Sequence, residues 1–176
     1  TDEPMKNHAY FKVGGPCDIM ALPTTQAELE CLLDLARQSA IPCFIIGNGS
    51  NLLVRDGGIR GLVIKLENLR RVEVEGDCII AESGTELKLL SDTALAHSLT
   101  GLEFACGIPG SLGGAVFMNA GAYFGEMSHV LESVTVITPQ GQRQVLDRAD
   151  LELGYRTSRV KTHGDVVIEA RLRLKP

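Results

Sequence analysis

The chain has 176 residues, a formal net charge of −5, 44% hydrophobic residues and 22% charged residues. That length suffices for one domain with a core, or for two small lobes sharing one cleft. The acidic balance excludes a broad nucleic-acid surface, which would show as a basic excess.

In chain order, residues 1–16, with Pro4, Gly14, Gly15 and Pro16, read as an extended lead-in segment. Cys17 to Leu22 reads as a short apolar strand ended by Pro23. Thr25 opens T-Q-A-E, a capping-box pattern with Glu28 three residues on. Leu29, Leu32, Leu33 and Ala36 follow at helical spacing, which predicts an amphipathic helix over 26–39. Cys43 to Ile46 reads as a buried strand running into GNGSNLL, and Leu62 to Lys65 as another strand. A second lobe is expected from about Arg70. Val72–Glu75 and Cys78–Ala81 form a hairpin about Gly76–Asp77. Ser83-Gly-Thr-Glu86 offers helix-start chemistry for a helix to about His97. A glycine-rich stretch follows, with a short helix expected inside 111–119. Next come a hairpin of Ser133–Thr138 with Arg143–Leu146 and a last strand from Val166 to Leu174. Few helices and hairpins in the second half predict an α+β fold rather than a doubly wound parallel sheet.

The five cysteines are odd in number and hold no C-x-x-C pair, against a disulfide framework or structural zinc. Each has apolar neighbours and reads as a small buried hydrophobe. His8, His97, His129 and His163 are scattered without metal spacing and read as helix-face or surface residues; no metal is expected. No segment is apolar enough to span a membrane and no signal peptide opens the chain, so a reducing, cytoplasmic setting is expected. The start at Thr1 and the stop at Pro176 leave open that residues were removed at either end.

Two stretches carry the candidate chemistry. Gly47-Asn48-Gly49-Ser50-Asn51 follows a strand, and its amides can converge on a diphosphate, with Ser50 and Asn51 adding side-chain donors. The alternative is a plain turn. The Rossmann and P-loop fingerprints are both absent. Gly101–Glu126 carries seven glycines. Within it, Gly107-Ile108-Pro109-Gly110-Ser111 turns tightly, Ser111 can cap the short helix, and Gly113–Gly114 permit close approach. The alternative is a tightly packed helix and loop with no ligand. Arg156, beside Tyr155, can grip an anion bidentately or stand as a solvated surface residue.

The runs NHAYFKVGGPCD, IIGNGSNLLVRDGGIRGLVI, GLEFACGIPGSLGGAVFMNAGAYFGE and GYRTSRV cover nearly the whole chain. In that order they resemble the UDP-N-acetylenolpyruvoylglucosamine reductase family of peptidoglycan precursor synthesis. The resemblance implies the two-lobed FAD-binding fold of the vanillyl-alcohol-oxidase-like (PCMH-type) class. The domain would span about 17–176, with one lobe over 17–69 and the other over 70–176. It implies FAD as cofactor, NADPH as hydride donor, a UDP-sugar substrate, and a role in cell-wall biogenesis, cell shape and cell division. No nucleic acid, membrane or protein partner is implied. The cofactor would be held by Gly47, Asn48, Gly49, Ser50, Asn51 and Leu52 at the pyrophosphate, with Gly107, Ile108, Pro109, Gly114, Ala115, Asn119, Gly121, Ala122 and Val167 along the flavin and its chain. Arg156 matches the active-site arginine, and Tyr155 stands beside it for substrate. The family's serine proton donor and late glutamate have no counterpart here, so the resemblance implies an FAD-binding part with little activity alone. Two other readings are a stand-alone flavin- or nucleotide-binding module and an oxidase that anchors flavin covalently, for which Cys106 would be the residue to watch.

Overall fold

The computed structural model describes residues 1–176. The chain forms two compact units, Thr1–Leu69 and Arg70–Pro176.

The first unit holds strands β1 (Glu3–Pro4), β2 (Pro16–Ala21), β3 (Cys43–Ile46) and β4 (Ile59–Lys65), with helix α1 (Gln26–Gln38) between β2 and β3. The sheet runs β1-β2-β4-β3; β2 and β3 lie parallel to β4, and β1 lies antiparallel to β2. β4 is central, and its Leu62, Val63 and Ile64 are all buried, as a strand covered on both faces requires. Adjacent parallel strands need a crossover of about a dozen residues. Residues 47–58, which include the glycine loop, are that crossover from β3 to β4. Helix α1 starts where the capping pattern predicts: Thr25 Oγ1 accepts from the Glu28 amide at 3.2 Å. The Glu28 carboxylate returns the bond one residue early, to the amide and hydroxyl of Thr24. Residues 1–16 are more than an extended lead-in. Met5–Asn7 form a 3-10 turn, and Met5 is fully buried with Cys17, Ile46, Val54 and Val63.

The second unit is built on a five-stranded antiparallel sheet. Its strands are β5 (Val72–Glu75), β6 (Cys78–Glu82), β9 (Leu131–Ile137), β10 (Arg143–Asp147) and β11 (Val166–Arg173), in the order β10-β9-β11-β6-β5. Helices α2 (Leu87–Ala96), α3 (Leu112–Met118) and α4 (Arg159–His163) and a small hairpin of β7 (Gly121–Ala122) with β8 (Gly125–Glu126) complete it. Leu87, Leu90 and Ala94 of α2 and Leu112, Ala115 and Val116 of α3 share one core with Ile79, Val134, Val136, Ala170 and Leu172. The alternate residues of β11 carry ion pairs instead: Arg171 and Arg173 both hold Glu132, and they reach Glu75 and Asp77 respectively. Sequence periodicity missed α4, which is too short for a helical stripe.

Two capping expectations fail. Glu86 precedes α2 without a side-chain cap, and Ser111 precedes α3 without one. The hydroxyls of Ser83 and Thr85 are buried and unpartnered. The backbones do the work instead: the Leu112 and Gly113 amides donate to the carbonyls of Thr85 and Ser83, each at 2.8 Å.

Candidate functional site

In the first unit, the loop Gly47, Asn48, Gly49, Ser50, Asn51 and Leu52 leaves the carboxyl end of β3. The amides of Gly47 to Asn51 donate to no acceptor in the protein, while Leu52 closes a turn over Ser50 and Asn51. A run of unpaired amides in a tight loop is a concavity suited to an anion. Gly49 is obligatory for a separate reason. It has φ +64°, and a Cβ there would overlap the carbonyl oxygen of His8. The Gly49 carbonyl accepts from the Tyr10 amide at 3.0 Å. The segment His8–Tyr10 therefore lies directly against the loop.

In the second unit, five of the seven glycines of the long stretch sort into two kinds. A Cβ on Gly113 would fall 2.9 Å from the Ser83 Cβ, and one on Gly125 would fall 2.6 Å from the Phe104 Cβ. On Gly121 it would meet the Gly125 carbonyl oxygen at 2.6 Å. These three glycines permit packing. Gly107 and Gly114 differ: a Cβ on Gly107 would meet nothing within 4 Å, and one on Gly114 only the Ser111 hydroxyl at 3.7 Å. Both are exposed, as is Pro109, with Ile108 half-buried between them and Ala115 buried in the helix behind. This face is open, and nothing in the protein accounts for its missing side chains.

Asn119 joins the remaining residues of this unit. It ends α3 in the left-handed region at φ 41°, and its side chain is buried. Its Nδ2 donates to the Gly154 carbonyl at 3.0 Å, and its Oδ1 accepts from the Ser128 amide at 3.0 Å. One side chain thus ties the end of the helix to the base of the β7–β8 hairpin and to the loop carrying Tyr155 and Arg156. Arg156 Nη2 donates to the Gly121 carbonyl at 2.9 Å. Its guanidinium carbon lies 5.4 Å from the centre of the Tyr155 ring. Arg156 sits at φ 55°, and the hairpin turn is Tyr123 and Phe124 at φ 48° and 67°. Left-handed backbone costs an L-residue about 1–2 kcal/mol, and a two-residue turn with both φ positive normally uses Asn and Gly. Tyr123, Phe124 and Tyr155 all point into solvent. Ser158 donates to the Phe117 carbonyl at 2.9 Å and caps α4, which fixes the far side of the Arg156 loop. Glu126 accepts from the Ser128 hydroxyl. That bond first, then Asn119, with His129 and Arg156 nearby, holds its carboxyl below the ordinary range. Val167 is buried at a register shift of β11, where Ile168 is the extra residue opposite β9. Such bulges redirect neighbouring side chains.

Asn119, Gly121, Tyr155 and Arg156 are thus joined by hydrogen bonds or ring contact within the second unit. Gly47 to Leu52 belong to the first. The roles of Ser128 and Ser158 were invisible in the sequence, because each rests on a partner brought near only by the fold. Two expectations need correction. Cys31, Cys43 and Cys106 are exposed, and only Cys17 and Cys78 are buried; Cys43 lies with exposed Phe44 on β3, which is an edge strand and not the buried strand expected. His8 is not a free surface residue, since it bonds Glu3 and Lys65.

The chain matches the family of FAD binding domains over residues 17–147. It is 53% identical over 174 residues to a UDP-N-acetylenolpyruvoylglucosamine reductase of Clostridium perfringens, covering 99% of this chain and 57% of that protein. Among solved structures it is similar to UDP-N-acetylenolpyruvylglucosamine reductase from Thermus caldophilus, with a TM-score of 0.82 and 36% identity over 98% of this chain and 62% of that one. Alkyldihydroxyacetonephosphate synthase shares the fold at a TM-score of 0.65 and 18% identity, over 89% of this chain and 31% of that one. The α+β FAD-binding fold expected from the sequence is the one these proteins share. The chain spans about 57% of the length of the curated relative it matches. No helix is long and apolar enough to cross a membrane.

Proposed function

The chain belongs to the FAD-binding domain family, and from that premise we propose that it is the cofactor-binding part of an NADPH-using UDP-N-acetylenolpyruvoylglucosamine reductase. The single observation that carries the cofactor half is the run of unpaired amides from Gly47 to Asn51. An FAD pyrophosphate supplies the anion such a run needs. When bound, the flavin supplies hydride transfer, from NADPH inward and outward to the enolpyruvyl double bond.

This chain's own residues bind and orient. Gly107 and Gly114 leave a side-chain-free face on which a planar ring and its chain can lie, with Ile108, Pro109, Ala115, Ala122 and Val167 as apolar neighbours. Asn119 and Gly121 hold the hairpin and the arginine loop in register. Arg156 spends one donor on the Gly121 carbonyl, and a guanidinium has five. The remaining donors would be available to a substrate carboxylate, where negative charge would grow as hydride adds to the double bond. A fixed donor of this kind is worth about 10²–10³ in rate. Tyr155 stacks on the guanidinium and limits its swing. UDP-sugar reduction places the protein in peptidoglycan precursor synthesis, with the consequences for cell shape and division that follow, in the cytoplasm where NADPH is available.

Titration of the purified chain with FAD, followed by flavin fluorescence and absorbance, tests the cofactor half; absence of saturable binding ends it. The reductive half is tested in a protein as long as the relatives, by following NADPH oxidation with the enolpyruvyl substrate and with Arg156→Lys. Equal turnover by the variant would remove Arg156 from the mechanism.

A further inference from the structure

Beside the amide loop, the first unit carries a line of polar side chains that the proposed reaction does not use. His8 Nε2 lies 2.9 Å from Glu3 Oε1, and His8 Nδ1 lies 3.3 Å from Lys65 Nζ. Lys65 Nζ also lies 2.6 Å from the Glu67 carboxylate. Lys65 ends β4 and is paired in register with Ile46, the residue before Gly47. The Lys65 side chain is 12% exposed and that of His8 15% exposed, while the Glu3 and Glu67 carboxylates at either end are each 39% exposed.

An ammonium only donates, so His8 Nδ1 must accept, and Nε2 then carries the proton given to Glu3. The groups facing the ring are the Glu3 carboxylate on β1 and the Lys65 ammonium on β4; Asn7 Nδ2 also donates to Glu3, at 3.2 Å. The bond from His8, then that from Asn7, holds the Glu3 carboxyl below the usual range, so it stays charged as the acceptor. The main chain of the same histidine is the surface on which Gly49 rests, with no room for a Cβ between them.

We propose that His8 is a positioning residue for the Gly47–Leu52 loop, and that the hydrogen-bonded line Glu3–His8–Lys65 makes binding of an FAD pyrophosphate there sensitive to the proton count of His8. A second proton on His8 occupies Nδ1, the atom that accepts from Lys65. The bond is lost and two cations face each other across 3.3 Å. The Glu3 carboxylate attracts the ring from the other side, so the ring and its main chain shift toward β1. That withdraws the support under Gly49, and the loop that carries the unpaired amides loosens. Loss of one hydrogen bond to a charged group corresponds to about a tenfold change in affinity.

The inference rests on the FAD reading for its ligand, but its geometry can be tested without it. The isotope-labelled chain is titrated from about pH 8 to about pH 5.5, the range in which imidazole commonly changes charge. The amide resonances of Asn48, Gly49 and Ser50 are followed with the His8 ring. FAD dissociation constants are measured at both ends. The expectation is that the loop amides move in step with the ring and that FAD binds about tenfold more weakly at the acid end. His8→Gln, which offers an acceptor and a donor but does not titrate, should show a ratio near one between the two pH values, and Lys65→Met should lose the loop titration. Loop amides that ignore the His8 titration, or a His8→Gln ratio equal to that of the native chain, overturn the proposal. If the native chain binds no FAD at any pH, the FAD reading fails, while the amide titration still decides whether His8 governs the loop.

Discussion

Gly114→Ala separates packing from ligand binding at one atom. Gly114 lies inside α3, is exposed, and does not occupy the left-handed region. A methyl there would make one ordinary contact, 3.7 Å from the Ser111 hydroxyl. Alanine is favoured over glycine in a helix by about 0.5–1 kcal/mol. The ligand-free variant should therefore be more stable by roughly that amount, raising its melting midpoint by about 4 °C for a unit of this size. If the open face receives the flavin, the same methyl intrudes on the cofactor. Overpacking costs about 1–3 kcal/mol, so FAD should bind roughly ten- to a hundredfold more weakly. Stability and affinity would then move in opposite directions, which a packing defect cannot produce. Thermal denaturation without ligand and flavin fluorescence titration measure the two. Unchanged FAD affinity would remove Gly114 from the cofactor site, and a lower midpoint would refute the account of α3.

Gly113→Ala, one residue earlier, should instead destabilise by about 1–3 kcal/mol, because its methyl meets the Ser83 Cβ; chemical denaturation reads the difference from Gly114→Ala. Asn119→Ala should cost about 3 kcal/mol by losing the bonds to Gly154 and Ser128 in a left-handed position, and should raise hydrogen exchange in residues 154–158. Glu126, with its folded carboxyl below the ordinary 4.5, contributes stability that is fully present above about that pH and is lost as pH falls through the lower folded value. Stability measured from neutral to acid pH should therefore fall less steeply in Glu126→Gln than in the native chain. If the proposed reduction holds, Arg156→Lys in a protein as long as the relatives should leave FAD affinity unchanged and lower kcat by about 10²–10³, as measured by NADPH oxidation.

The sequence carries the elements whose cause is local. Helix α1 starts at its capping residue because the Thr25 hydroxyl and the Glu28 amide are three residues apart in any chain. The hairpin of β9 and β10 follows its turn residues and alternation. What the sequence cannot show is closure between distant residues. Met5 reads as part of an extended lead-in, yet it fills a core with Val54 and Val63. Ser111 reads as a cap, yet the start of α3 is satisfied by carbonyls of Ser83 and Thr85, some thirty residues upstream, on the strand end it packs against. Periodicity also has no reach below two turns, which is why α4 escapes it.

The site shows the same division more sharply, because one residue type serves two purposes in it. Seven glycines between Gly101 and Glu126 signal that the backbone must come close to something, but not to what. Gly113, Gly121 and Gly125 come close to the protein itself. Gly107 and Gly114 come close to nothing in it. At these five positions the contacts mark the packing glycines, and their absence leaves a face free for a ligand, a difference only coordinates show. The amide loop repeats the distinction within six residues. Gly49 is fixed by the His8 carbonyl beneath it, while the amides of its neighbours Asn48 and Ser50 find no acceptor in the protein. An anion site needs both: a glycine held on one side so that the amides beside it hold their direction on the other. That is why a substitution at His8, which lies outside the loop and offers it no donor, is expected to alter the pH dependence of binding at the loop.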